Sequence, residues 1–175
     1  MRQLSLTPPG DVLEPEPIPE KAADVTSDRP TIMLIDGYGL IFRAFYAFQA
    51  PMSTSSGEPT NAVYGVASML FNILNNQRPD YAVMALESGR TFRHDHFEEY
   101  KGTRGEMPQE LRVQIERIYQ LIQALDIPMV SKELYEADDV IGTLSKEMAN
   151  DGFEVIVLTG DTDLLQLAQP TLFVP

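Results

Sequence analysis

The 175-residue chain is 43% apolar, enough for one domain with a sizeable core, and carries a formal net charge of −13, which argues against a simple binder that grips nucleic acid through a broad basic footprint. It contains no cysteine, so a disulfide framework and a Cys-based zinc site are excluded. The absence of cysteine is compatible with a reducing cytosol. No apolar run approaches the roughly 18 residues of a membrane span, and the first residues lack the apolar segment of a secretory signal.

Residues 1–30 form a separate regime. Pro8, Pro9, Pro15, Pro17, Pro19 and Pro30 break any periodicity and acids outnumber bases, which predicts a disordered extension. From Thr31 the pattern alternates. Ile32 to Ile35 is a continuous apolar run, as for a strand buried on both faces. Leu40 to Phe48 suits a short helix. Ala50 to Pro59 reads as a loop. Thr60 is placed to cap a helix over 61–76, with Val63, Val66, Leu70, Ile73 and Leu74 on one face. Tyr81 to Leu86 is a second strand. Residues 87–107 show no clean period. Pro108 suits a helix first turn, and Leu111, Ile115, Ile118, Ile122 and Leu125 follow at helical spacing. Ile127 to Val130 is a short strand. A helix over 137–150 turns Val140, Ile141, Leu144 and Met148 inward and is closed by Gly152. Val155 to Leu158 is a strand, Leu164 to Leu167 a helical turn, and Thr171 to Val174 a last strand. This alternation specifies an α/β fold with a mainly parallel central sheet and helices on both faces.

Acidic residues stand where such strands end. Asp36 follows the first strand, Asp161 and Asp163 follow the Val155 strand, and Glu136, Asp138 and Asp139 open the helix at 137. In a parallel sheet these ends converge on one rim, where ligands bind. Each group has an ordinary explanation as well. Asp36-Gly37 suits a turn, acids favour a first helical turn, and one aspartate of Asp161-Thr162-Asp163 suits an N-cap. Three acids within Glu136–Asp139 exceed what the helix dipole explains. Six carboxylates on one rim repel one another unless cations neutralise them, and oxygen donors suit Mg²⁺. Arg90, Arg93, Lys101, Arg104 and Arg112, with Phe92, Phe97 and Tyr100 among them, suit phosphate and base contact. They suit a mixed-charge surface loop equally, because Asp95, Glu98, Glu99, Glu106 and Glu110 balance them. His94 and His96 are expected at the surface.

Several stretches together resemble one family. They are Ile-Asp-Gly-Tyr-Gly-Leu-Ile-Phe-Arg-Ala (35–44), Gly-Glu-Pro-Thr-Asn-Ala-Val-Tyr-Gly-Val (57–66), Thr-Phe-Arg-His (91–94), Glu-Tyr-Lys (99–101), Tyr-Glu-Ala-Asp-Asp-Val-Ile-Gly-Thr-Leu (135–144) and Thr-Gly-Asp-Thr-Asp-Leu-Leu-Gln-Leu (159–167). In this order they resemble the 5′-nuclease domain at the N-terminus of bacterial DNA polymerase I, of the flap-endonuclease (PIN-like) superfamily, over residues 31–175. The resemblance implies a PIN-like fold with a helical arch near 90–110, and a cytoplasmic bacterial 5′-3′ exonuclease or 5′-flap endonuclease. It implies DNA with a 5′ flap or single-stranded 5′ end, or an RNA primer, as substrate, and a polymerase module in the parent protein. It assigns two Mg²⁺ or Mn²⁺ ions to Asp36, Glu136, Asp138, Asp139, Asp161 and Asp163. It assigns the scissile phosphate to Arg93 and Lys101 with Tyr100 beside it, and further nucleic-acid contacts to Arg43, Arg90 and Arg104.

Three departures stand out. Leu86 occupies the place of a family aspartate at the end of the second strand. Glu87 is next, but a one-residue slip along a strand sends a side chain to the opposite face, unless a bulge re-aims it. The family's Asp-Lys-Asp is Asp161-Thr162-Asp163, one positive charge fewer. The family continues with a further carboxylate pair and a helical DNA-binding module beyond the region of resemblance. A degenerate, non-catalytic nuclease-like module that binds branched DNA or a protein partner is the second reading.

Overall fold

A computed structural model of the chain describes residues 28–48, 52–97, 105–167 and 172–173. The expectation of a disordered extension falls almost wholly outside them. Five strands form one sheet: β1 (Thr31–Asp36), β2 (Tyr81–Ala85), β3 (Met129–Val130), β4 (Glu154–Leu158) and β5 (Leu172–Phe173). Their spatial order is β3-β2-β1-β4-β5, and every pairing is parallel. The central strand β1 sets Asp36 opposite Ala85 of β2 and Ile35 opposite Leu158 of β4.

The apolar run of β1 splits by parity. Met33 and Ile35 enter one core with Met84, Ile156 and the apolar stripes of α1 (Gly37–Ala47), α2 (Asn61–Gln77) and α5 (Ile115–Ala124). Ile32 and Leu34 enter a second core with Ala85, Val155, Val157 and Ile141 of α6 (Ala137–Asn150). Successive strand residues point to opposite faces, so a strand covered on both sides must be apolar throughout. Each fully buried aliphatic side chain here contributes about 1.5–3 kcal/mol.

The expected helices form with three differences. First, α1 begins at Gly37, directly after β1, because Asp36 caps it by accepting from Gly39 N–H at 3.0 Å. Second, the Pro108 helix is two pieces, α4 (Gln109–Arg112) and α5, and Pro108 is the residue before the first helical position. Third, Thr60 precedes α2 but makes no capping bond with its side chain. That duty falls to the fully buried Gln114, which lies between α4 and α5. Its Oε1 accepts from Ala62 N–H at 2.9 Å and Val63 N–H at 3.3 Å. Its Nε2 donates to Asn61 Oδ1 at 2.9 Å and Glu110 O at 2.8 Å. A distant glutamine therefore satisfies the open end of α2, which local sequence rules cannot foresee. In the stretch without a period, a short helix forms, α3 (Phe92–His96).

At the other end of the sheet, Thr31 N–H and hydroxyl both donate to Asp80 Oδ2, at 2.7 and 3.0 Å, joining the starts of β1 and β2. The Thr31 N–H, then the hydroxyl, holds the Asp80 carboxyl below its ordinary value. A carboxylate whose folded pKa is depressed stabilises above its unfolded pKa and loses that contribution as pH falls through the folded value. Asp80→Asn is therefore expected to lower the melting temperature near neutrality, with the difference from wild type closing as pH falls below about 4, the ordinary carboxylate range. Gln114→Ala leaves the buried Ala62 N–H and the partly buried Val63 N–H without this acceptor; denaturant titration is expected to show a loss of about 1–3 kcal/mol.

Candidate active site at the carboxyl ends of the strands

Because β1, β2 and β4 are parallel, their last residues share one rim. Asp36 ends β1. Its Oδ1 takes the Gly39 N–H, and its Oδ2 accepts the Thr159 hydroxyl at 3.3 Å. Thr159, buried just beyond β4, accepts in turn from Asp161 N–H at 3.0 Å. Asp161 Oδ1 then accepts Asp163 N–H at 2.9 Å, opening the 3₁₀ turn Thr162–Leu167. This run of bonds ties the ends of β1 and β4 together. Glycine at 39 leaves the Asp36 carboxylate its place, since a Cβ there would displace it. Thr159 was not singled out from sequence; a small hydroxyl residue between a buried strand and an acidic turn is the signal that marks it.

Burial is the main force pushing the Asp36 carboxyl above its ordinary value, with the negative charges of Glu87 and Asp161 adding to it; the Gly39 and Thr159 bonds oppose the rise. A cation nearby acts in the same sense as those two bonds.

Above the rim lies an open cavity of about 970 Å³, whose walls include Asp36, Glu87, Asp138, Asp161 and Arg43. Asp138 reaches it from the first turn of α6. Arg43, exposed on α1, supplies a cationic wall. Asp163 is exposed and is not among the residues of this wall.

Glu136 and Asp139 form a second acidic group beside the cavity. Glu136 caps α6 and is buried. Asp139 Oδ2 accepts the Glu136 N–H at 3.1 Å. Both Asp139 oxygens accept from Arg93, at 2.6 and 2.8 Å, and the same guanidinium lies 3.9 Å from Glu136 Oε2. Arg93 thus pairs with Asp139 in a bidentate, partly buried contact and lies near Glu136 as well. Arg90 instead pairs on the surface with Asp95 at 2.9 Å. Tyr100, Lys101 and Arg104, and with them part of the expected arch, lie outside the described residues. His94 is half-buried, because its Nδ1 accepts Thr91 N–H at 3.2 Å at the start of α3.

The end of β2 answers the question raised by Leu86. Strand β2 stops at Ala85, yet its alternation runs on: Leu86 shares a core with Ala82 and Met84, and Glu87 follows on the parity of Ala85, the register partner of Asp36. Leu86 packs against the apolar core and lies where a Cβ on Gly37 would have stood, while Glu87 lines the cavity.

Among the described residues no three His, Cys, Asp or Glu side chains converge closely enough to hold one metal ion alone. The donor chemistry fits a hydrated Mg²⁺ or Mn²⁺. All the acidic groups offer hard oxygens, Asp36, Glu87, Asp138 and Asp161 line an open cavity, and Mg²⁺ keeps several waters while binding through one or two carboxylates.

The profile of the family described as "5'-3' exonuclease, N-terminal resolvase-like domain" matches residues 31–174. DNA polymerase I of Chloroflexus aurantiacus is 51% identical over 139 residues, covering 79% of this chain and 15% of the polymerase. DNA polymerase I of Bacillus subtilis is 46% identical over 143 residues, covering 81% of this chain and 16% of the polymerase. The chain thus spans a small part of the length of these curated relatives. Among solved structures, bacteriophage T5 5′-exonuclease with bound zinc superposes with a TM-score of 0.58 at 20% identity, over 81% of this chain and 53% of that one. The T5 flap endonuclease in a pseudo-enzyme-product complex with DNA and metal ions gives 0.59 at 19% identity, over 82% and 54%. At such identity these two establish the shared PIN-like nuclease fold. Matched along nearly the whole of its described length, the chain belongs to the 5′-3′ exonuclease family, as its N-terminal resolvase-like domain.

Proposed function

We propose that this domain hydrolyses phosphodiester bonds in DNA bearing a 5′ flap or a single-stranded 5′ end, or in an RNA primer, using two Mg²⁺ or Mn²⁺ ions. Its setting would be replication and repair in a bacterial cytoplasm, within a DNA polymerase I-like protein. The observation that carries this reading is the meeting of Asp36, Asp138 and Asp161 from three separate elements on one open cavity with Arg43 on its wall.

When bound, the two ions supply an activated water and stabilise the leaving oxygen. Asp36, Asp138 and Asp161 would hold them from the cavity, with Asp139, Glu136 and Asp163 acting from its margins. Thr159 and Gly39 fix the Asp36 carboxylate so that it needs no reorganisation on loading. Arg43 would position a backbone phosphate. So would Arg93, after exchanging part of its contact with Asp139 for the substrate. Lys101 and Tyr100 would complete the phosphate contact, and Arg90 and Arg104 would follow the strand.

The alternative, a non-catalytic module that binds branched DNA or a protein, is favoured by one feature: the aliphatic Leu86 where the family has a carboxylate. A 5′-flap duplex incubated with Mg²⁺ and with Mn²⁺ separates the two. The nuclease reading expects wild type to cut near the junction and Asp138→Asn to cut about 100-fold more slowly or worse, taking the upper end of losses for groups that orient a metal. Wild type that binds the flap without cutting it would establish the alternative.

Arg93→Ala tests the exchange of partners. It uncovers Asp139 beside the buried Glu136 and is expected to cost about 1–3 kcal/mol in the metal-free protein by denaturant titration. Added Mg²⁺ should recover part of that loss, while flap cleavage falls.

A further inference from the structure

Resting on the reading above that a single strand of nucleic acid reaches this site, we propose that Tyr135 is a stacking platform for one of its unpaired bases. The platform stands at the foot of α3, and Tyr135 is not among the residues of the cavity wall.

The sequence offers Phe92 for base contact, but the structure occupies that ring within the chain. The Arg93 guanidinium lies over it, 4.7 Å from the centroid. Tyr135 tilts against it at 5.5 Å, and His96 meets it edge-on at 6.4 Å. Phe92 is half-buried among these groups and serves to hold Tyr135 in place. The Tyr135 ring is 43% exposed, and its neighbour Leu134 is exposed as well. Scattered apolar residues are ordinary on a protein surface, whereas two adjacent ones propped on a buried ring mark a contact surface. Phe97, exposed at the end of α3, extends the apolar character of this side.

The backbone holds this ring ready. Phe92 N–H donates to Leu134 O at 2.8 Å, and Thr91 forms a parallel bridge with Leu134. Tyr135 N–H closes a turn on Lys132 O at 3.1 Å. Leu134, between them, has φ +69°, a left-handed conformation that crowds a Cβ against the following carbonyl. Strain of this kind persists where the surroundings impose it, and it collects at ligand-binding positions. Location identifies the partner. Tyr135 directly precedes Glu136, the cap of α6, and Ala137 and Asp138 then line the cavity. Arg93, which covers Phe92, is the guanidinium that pairs with Asp139. Arg90 and Lys132 stand exposed on the two segments that the bridge joins. A strand with one phosphate at Arg43 thus finds cations for further phosphates and an aromatic face for a base. Stacking tolerates any base, which suits a strand read by its structure and not by its sequence.

The test uses the full chain and a series of 5′-flap duplexes carrying 2-aminopurine at successive flap positions, whose fluorescence falls when the base stacks. Binding is read with Ca²⁺ and cleavage with Mg²⁺. Tyr135→Ala is expected to bind the flap about tenfold more weakly and to lose the quenching at one flap position. Tyr135→Leu keeps apolar cover on Phe92 and should lose both as well, while Tyr135→Phe should keep both. Tyr81→Ala removes another exposed ring, at the start of β2 and far from the rim, and should match wild type. A flap made abasic at the quenched position should bind wild type and Tyr135→Ala equally, since ring and base act as one pair. A Tyr135→Ala protein that binds and quenches like wild type overturns the inference, and cleavage by wild type then leaves the nuclease reading standing. A loss that is the same on normal and abasic flaps is structural and overturns it too. Wild type that stacks the flap base without cutting keeps this inference and removes the nuclease reading. Wild type that neither binds nor cuts sinks both.

Discussion

The structure depends on holding a buried carboxylate, Asp36, at the end of the central strand. Burial opposes its charge, and so do Glu87 and Asp161. Two hydrogen bonds work the other way, from Gly39 N–H and the Thr159 hydroxyl. Both come from neighbouring groups, one backbone and one side chain, that the fold must bring close. Gly39 requires α1 to start at once after β1 with no side chain at that turn, and Thr159 requires β4 to pair beside β1. The acid is therefore positioned by the sheet and not by a loop that must be ordered on binding, which suits a group whose geometry has to be ready before a ligand arrives.

Around this centre the acids occupy two places. Arg93 makes a bidentate contact with Asp139 and lies 3.9 Å from Glu136. Asp36, Asp138, Asp161 and Glu87 line an open cavity. On the proposed reading, a polyanionic substrate approaching this wall meets carboxylates, so phosphate binding and ion binding must be coupled.

Much of this was legible in the sequence, for physical reasons that differ by element. The apolar run 32–35 announced a strand covered on both faces, because no polar residue survives there. The helix at 137–150 appeared at its observed bounds, since the acids before it and Gly152 after it mark the ends by local chemistry. The capping of α2 was not legible: Gln114 acts from about 50 positions away, and nothing near Thr60 reveals that its own hydroxyl is unused. The break between α4 and α5 was hidden because apolar spacing passes through it almost unchanged. At the site, the positions of Asp36, Asp138 and Asp161 at strand and helix ends read as one rim, and all three line the cavity. The spacing of Glu136 and Asp139 showed a shared face but not that Arg93 occupies it.

Leu86 and Glu87 show how far register carries beyond the last strand residue. Ala82, Met84 and Leu86 pack into one core while Val83 and Ala85 pack into the other, so the alternation of β2 runs on through Leu86, whose N–H still donates to Val130 O. Glu87 follows on the parity of Ala85, the register partner of Asp36, and lines the cavity. The pleat persists while the neighbouring strand still accepts from the backbone, and the residue just beyond it takes its direction from that pleat.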